Sequence, residues 1–97
     1  MTTQEIEKLM ETILQYAKDG KEITSNADLH NKYLSNRYVL KVTIFGGEEL
    51  YSFRDWDEAN EYFESFPIDD KDMAVTTYDL GNIGFDTNDN MFFDSIY

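Results

Sequence analysis

YVLKVTIFGGEELYSF, residues 38–53, decides the fold. Tyr38, Leu40, Val42 and Ile44 alternate with Val39, Lys41, Thr43 and Phe45, the period of two expected of a strand with unlike faces. Gly46-Gly47 then offers two residues that take positive φ without steric cost, and a second alternating run follows at once. Placing the glycines in the loop sets Phe45 opposite Glu48, Val42 opposite Tyr51 and Leu40 opposite Phe53. The large apolar residues of both strands then share one face, whereas a slip of one residue would mix the faces.

Downstream, DWDEANEYFESF (residues 55–66) sorts as a helix, with Trp56, Ala59, Phe63 and Phe66 on one side and acids on the other. Asp55 and Glu58 have capping-box spacing, and Pro67 ends the helix. Residues 68–72 read as a loop and Met73 to Leu80 as a third strand rich in Val, Thr and Tyr. After Gly81 the chain has turn chemistry, and Met91 to Tyr97 completes an edge strand. Upstream, Ile6, Leu9, Met10, Ile13, Leu14 and Ala17 form the stripe of an amphipathic helix. Thr2 and Glu5 form its capping box and Gly20 its stop. A second helix covers Asn26 to Leu34, capped by Ser25, with Leu29 and Tyr33 inward. The order α-α-β-β-α-β(-β) is that of one α+β domain spanning residues 1–97. Its small, mostly antiparallel sheet is expected to carry helices on one face.

Charge is unevenly placed. Residues 1–47 hold six acids and six bases, whereas residues 48–97 hold fourteen acids against Arg54 and Lys71, so the second half carries the whole net charge of −12. Phosphate contacts need clustered Lys and Arg, so direct nucleic-acid binding is not expected. An anionic membrane would repel the chain, and a basic partner would be steered toward it. Aromatic residues make up 15% of the chain, which argues for a folded core despite the charge. Without cysteine there is no disulfide, thiol nucleophile or thiolate metal site. Short apolar runs and a polar start predict a soluble, cytoplasmic protein.

Motifs for chemistry are missing. His30 is the only histidine and has no serine or carboxylate partner by spacing. Gly46-Gly47 lacks the context of a phosphate loop. Asp86-Thr87-Asn88-Asp89-Asn90 begins like a calcium loop, but Met91 stands where the sharp turn needs glycine and Tyr97 where a bidentate Glu belongs. It reads as a polar turn. No enzyme activity, metal or cofactor is expected.

The acids themselves are the candidate site. Asp57, Glu58, Glu61 and Glu64 recur at helical spacing, with rises of about 4.5 to 6 Å between successive members, a scale comparable to phosphates along a strand. Glu48 and Glu49 at the hairpin, and Asp69, Asp70 and Asp72 in the loop, are expected to flank them. Such a row allows carboxylates to occupy a groove built for phosphates. Ordinary solvation of a helix face is the alternative, but −12 exceeds the roughly 2 to 8 units that solubility asks of a small domain. Fifteen aromatic rings also exceed what a small core hides, and Tyr16, Tyr33, Tyr62, Tyr78 and Tyr97 are candidates for exposed or rim positions.

A hairpin, an acidic helix, and a strand ending Thr77-Tyr78-Asp79 with Ile83 and Phe85 after a turn resembles a domain of ArdA-type antirestriction proteins, over residues 38–86. In size and acidity the chain is also similar to phage anti-CRISPR proteins. The resemblance implies a mobile-element inhibitor that mimics nucleic acid in the basic groove of a defence enzyme. An RNA-guided Cas effector is the first expectation for that enzyme, and a restriction enzyme the second. The other expectation is a non-catalytic interaction or regulatory domain that binds through an aromatic face.

Overall fold

A computed structural model describes residues 1–66, 73–88 and 90–95. Three helices and four strands follow one another as α1 (Thr3–Lys18), α2 (Ala27–Ser35), β1 (Tyr38–Ile44), β2 (Gly47–Phe53), α3 (Trp56–Glu64), β3 (Met73–Phe85) and β4 (Met91–Ser95), with a 3₁₀ turn at Ile23–Ser25 before α2. The sheet is antiparallel, in the order β2-β1-β3-β4. The α+β arrangement and its element order match the sequence reading.

Local chemistry explains the helix ends. Thr2 Oγ1 accepts from the Glu5 N–H while the Glu5 carboxylate accepts from the Thr2 N–H, which completes the expected capping box. These hydrogen bonds, led by the one from the Thr2 backbone, hold the Glu5 carboxyl below its ordinary value. At the other end Gly20 adopts φ +69°. The Lys21 N–H then reaches the Tyr16 carbonyl and the Gly20 N–H the Ala17 carbonyl, as in a Schellman stop. Helix α2 is capped by Asn26, whose side chain accepts from the Leu29 N–H, and not by Ser25. Ser25 is spent in the 3₁₀ turn, where its hydroxyl donates to the Glu22 carbonyl.

The hairpin differs from expectation in register. Tyr38 faces Phe53, Leu40 faces Tyr51 and Ile44 faces Gly47, so the loop is Phe45-Gly46 and Phe45 does not face Glu48. Both loop residues have positive φ, 47° and 80°, as a two-residue hairpin turn of the primed type requires. A shift of two residues leaves every side chain on its expected face, so alternation alone does not separate the two registers. Packing does. In the observed register Leu50 lies opposite Lys41, diagonal to Val39, and joins the buried cluster beneath α1.

The sheet is covered on both faces, which corrects the one-sided arrangement. Strands β2 and β3 both run antiparallel to β1, hence parallel to each other, so the link between them must cross the sheet. Helix α3 lies in that crossover. On one face, Ile6, Leu9 and Ile13 of α1 and Leu29 of α2 bury Val39, Leu50, Leu80 and Phe93. On the other, α3 lays Ala59 and its rings over Tyr38, Tyr51 and Phe53: Trp56 meets Tyr38 at 5.7 Å, and Tyr62 meets Tyr51 at 5.2 Å and Phe53 at 5.3 Å. Adjacent Val39 and Leu40 are both 0% exposed because each serves a different layer. Burial of a side chain of this size contributes roughly 1.5–3 kcal/mol.

Strand β3 is longer than expected. It runs through Gly81 and Gly84 to Phe85, and its pairing with β4 shifts between Tyr78 and Ile83. The two glycines permit this. A Cβ at Gly81 would stand 2.7 Å from Tyr33 Oη, and one at Gly84 would stand 2.6 Å from Asp94 Oδ2. Arg37 ties the junction before β1 to β3 through a two-pronged contact with Asp79, 3.0 Å from Nε and 3.2 Å from Nη2.

Candidate functional site

Helix α3 sets the geometry of the acids. With Ala59 at the centre of the buried side, Asp57, Glu61 and Glu64 fall within about 60° of arc on the opposite side, at about 100° per residue. All three are exposed. Along the axis Asp57 to Glu61 is about 6 Å and Glu61 to Glu64 about 4.5 Å, so the row spans about 10 Å. Phosphates on one strand advance about 3.4 Å each, which makes the row as long as three such steps.

Glu58 stands apart from the row. It lies on the flank of α3 toward edge strand β2. There Glu58 and Glu61 border a shallow cleft of about 500 Å³ together with Phe53, Tyr62 and Ser65. The acids thus extend from the outer arc of α3 down to an aromatic floor.

Helix energetics explain some of these acids and not others. Asp57 and Glu58 occupy the first turn, where negative charge is favourable. Glu64 occupies the last turn, at the negative end of the dipole, and no basic residue shares that turn. The Asp57–Glu61, Glu58–Glu61 and Glu61–Glu64 spacings are like-charge neighbours, each destabilising by about 0.2–0.5 kcal/mol. Asp55 occupies the N-cap but makes no side-chain capping bond, so the expected pairing with Glu58 is not formed. Its extended backbone starts the helix, and the carboxylate of Glu58 is directed along the flank described above. Among the described residues the two ion pairs, Arg37–Asp79 and Lys41–Glu48, leave the α3 row out.

The hairpin acids divide. Successive residues of a strand face opposite ways, so Glu48 and Glu49 do not act together. Glu48 joins the α1 face, where Lys41 Nζ lies 3.2 Å away and Glu7 and Glu11 line the same surface hollow. Glu49 lies on the α3 face and accepts a hydrogen bond from Tyr51 Oη. That bond is the main reason the Tyr51 phenol is pushed up to about 12. The expected flanking role therefore falls to Glu49, and Glu48 belongs to another surface. Asp69, Asp70 and Asp72 lie outside the described residues, as do Pro67, Asp89 and Tyr97.

The remaining motifs have local explanations. Asp86 accepts from the backbone N–H groups of Asn88 and Asn90 and from the Asn90 side chain. It spends its carboxylate closing the β3–β4 turn, and these bonds, the one from Asn90 first, lower its pKa. His30 is half-buried in α2, with Nδ1 shielded and unpaired among the described residues.

Tyr16, Tyr33, Tyr62 and Tyr78 are half-buried, packed against the core or α3, and do not form an exposed set. Among the described residues the exposed rings are phenylalanines: Phe45 at 86%, Phe85 at 62% and Phe92 at 40%. Phe45 escaped the sequence reading because it was placed inside β1. Its signal was the Phe-Gly pair itself, once the loop is moved back by one residue.

Phe45 is costly where it stands. A non-glycine residue in the left-handed region pays roughly 1–2 kcal/mol, and the ring recovers none of it by burial. The two-residue loop prefers Asn, Asp or Gly at that place.

Comparison of the chain with protein-family models, with curated proteins and with solved structures returned no match.

Proposed function

We propose that this chain is a small, non-catalytic inhibitor that occludes the basic groove of a nucleic-acid-binding defence enzyme by standing in for nucleic acid. The observation that carries the reading is the row of Asp57, Glu61 and Glu64, which is exposed and spaced on the scale of phosphates, and in which Glu61 and Glu64 are locally unfavourable to their own helix. A feature that lowers stability without serving the fold is most simply explained by use elsewhere. A basic groove meets such a row with arginines and lysines already arranged for phosphates.

The preferred target is an RNA-guided Cas effector, whose channels for the heteroduplex and displaced strand are lined with cationic side chains. A restriction enzyme is second, in line with the resemblance to ArdA-type proteins over residues 38–86. The net charge of −12 speeds approach to either surface. Occlusion needs no bond making, so no residue is given a catalytic role.

The test is titration of the purified protein into DNA-cleavage assays with a panel of Cas effectors and restriction enzymes. Inhibition relieved by competing DNA and weakened by salt is the expected result. Inhibition that competing DNA leaves unchanged would refute occlusion, as would its absence across the panel. Exposed Phe85 and Phe92 on the β3–β4 hairpin favour a second reading, an interaction domain that binds through apolar contact. Association driven by these rings would be nearly insensitive to ionic strength, whereas charge-led association slows sharply.

A further inference from the structure

We infer that Phe45 is a binding anchor, inserted into an apolar pocket rimmed by arginine or lysine on the protein this chain engages. The class of partner rests on the groove-occluding reading; the role of the ring rests on the hairpin alone.

Three observations converge on the tip of β1–β2. The ring is 86% exposed, and its neighbour Ile44 is exposed at 36%, so the apolar tip stands clear of both layers. Phe45 holds φ 47° in a two-residue loop, a conformation the fold would obtain more cheaply from Asn or Gly. The loop is short and both flanking strands are paired, so the ring is presented on a rigid support and little freedom is left to lose on docking. Aromatic side chains, phenylalanine among them, are enriched at protein interfaces relative to the rest of the surface.

The charges beside the ring define the pocket. Glu48 and Glu49 follow the loop and point to opposite faces; Glu48 is already paired with Lys41 Nζ at 3.2 Å, so the net negative side of the tip is that of Glu49. A pocket that accepts the ring must therefore offer an arginine or lysine at its rim on the Glu49 side. The same carboxylates disfavour an anionic bilayer, and the net charge of −12 disfavours a second copy of the chain.

The experiment compares Phe45→Asn with the native protein, with Phe45→Trp as the conservative variant and Leu34→Ser, an exposed position on α2, as the control. Phe45→Asn is expected to raise Tm by about 3 to 8 °C, because the turn gains a residue it prefers. With any Cas effector or restriction enzyme that the native protein inhibits, Phe45→Asn is expected to weaken inhibition at least tenfold. Phe45→Trp should recover most of that loss and Leu34→Ser should match the native protein. Full inhibition by Phe45→Asn overturns the anchor and leaves the groove-occluding reading standing.

If no enzyme of the panel responds, that reading fails and the anchor is judged by photo-crosslinking. Benzoylphenylalanine is placed at position 45, and at position 34 as control, in cells carrying restriction and CRISPR systems. A crosslink from position 45 alone, mapped to an apolar residue beside Arg or Lys, supports the anchor. No such crosslink, or a Tm lowered by Phe45→Asn, overturns it. Native protein that binds phosphatidylcholine vesicles, or sediments as a dimer, in a manner lost in Phe45→Asn assigns the ring elsewhere and also overturns it.

Discussion

Replacing Glu61 and Glu64 of α3 together by glutamine should strengthen the fold. The pair takes part in three like-charge contacts on α3, with Asp57, with Glu58 and with each other, and each costs about 0.2–0.5 kcal/mol. Glu64 adds an unfavourable interaction with the negative end of the helix, about 0.3–1 kcal/mol at an exposed site. Glutamine keeps length and helix propensity, and its carbonyl oxygen still accepts the 3.5 Å contact from Asn60 Nδ2. The gain should be about 1 to 2 kcal/mol at low salt, or roughly 4 to 10 °C in Tm for a domain of this size. Asp57→Asn is the internal control. It removes one repulsion but also a favourable first-turn charge, so its effect should be close to zero. Thermal melts at 20 mM and 500 mM NaCl measure both, and the gain should shrink at high salt. A double variant that melts at or below the native temperature would refute the reasoning, since it would mean the two acids support the structure. The same variant should lose most of its inhibition of a responsive nuclease, so stability and function should move in opposite directions.

Other positions give further tests. Arg37→Ala removes the two-pronged contact with Asp79 and should cost about 1 kcal/mol, read as a lower urea midpoint; the guanidinium is 44% exposed, which keeps the figure modest. Thr77 is 1% exposed and its hydroxyl has no partner among the described residues, so Thr77→Val should be neutral or stabilising by about 1 kcal/mol in the same assay. Gly81→Ala should cost more than Gly84→Ala, because the first pushes on the Tyr33 phenol and the second on a carboxylate that can swing aside. The Glu5 carboxyl sits below its ordinary 4.5, so its contribution is present above that pH and is lost as pH falls through the lowered value. The stability difference between the native chain and Glu5→Gln, followed by circular dichroism, should therefore close as the solution is acidified below pH 4.5.

Much of the fold was legible because short-range chemistry specified it. The stripe from Ile6 to Ala17, the Thr2–Glu5 box and Gly20 at the exit each rest on contacts within a few residues. The second covered face was also written in the sequence, since Val39 and Leu40 are adjacent apolar residues in one strand and point opposite ways. It was masked by the stronger alternation around them. The hairpin register was not legible, because a shift of two residues preserves every face and only the packing of Leu50 under α1 separates the choices. On α3 the outward orientation of the acids was legible, because helical period fixes it. It was read less well at Glu48 and Glu49, where strand alternation divides two acids that stand together in the sequence. Phe45 was missed for the same cause as the register.

The edges of the sheet bear on how the protein behaves when concentrated. Among the described residues strand β2 has a strand neighbour on one side only, an invitation for another chain to add a strand. Thr3 Oγ1 takes the Leu50 N–H at 3.1 Å and blunts part of that edge, while Glu48 and Glu49 charge the rest. Glu49, which flanks the row on α3, and Glu48 on the other face therefore also keep copies of the chain apart. Acid and concentrated salt weaken that second service together, by protonating the carboxylates or by shortening the reach of their repulsion. Under those conditions the ends of the sheet should meet each other, and β2 is the strand along which ordered aggregates should begin to grow.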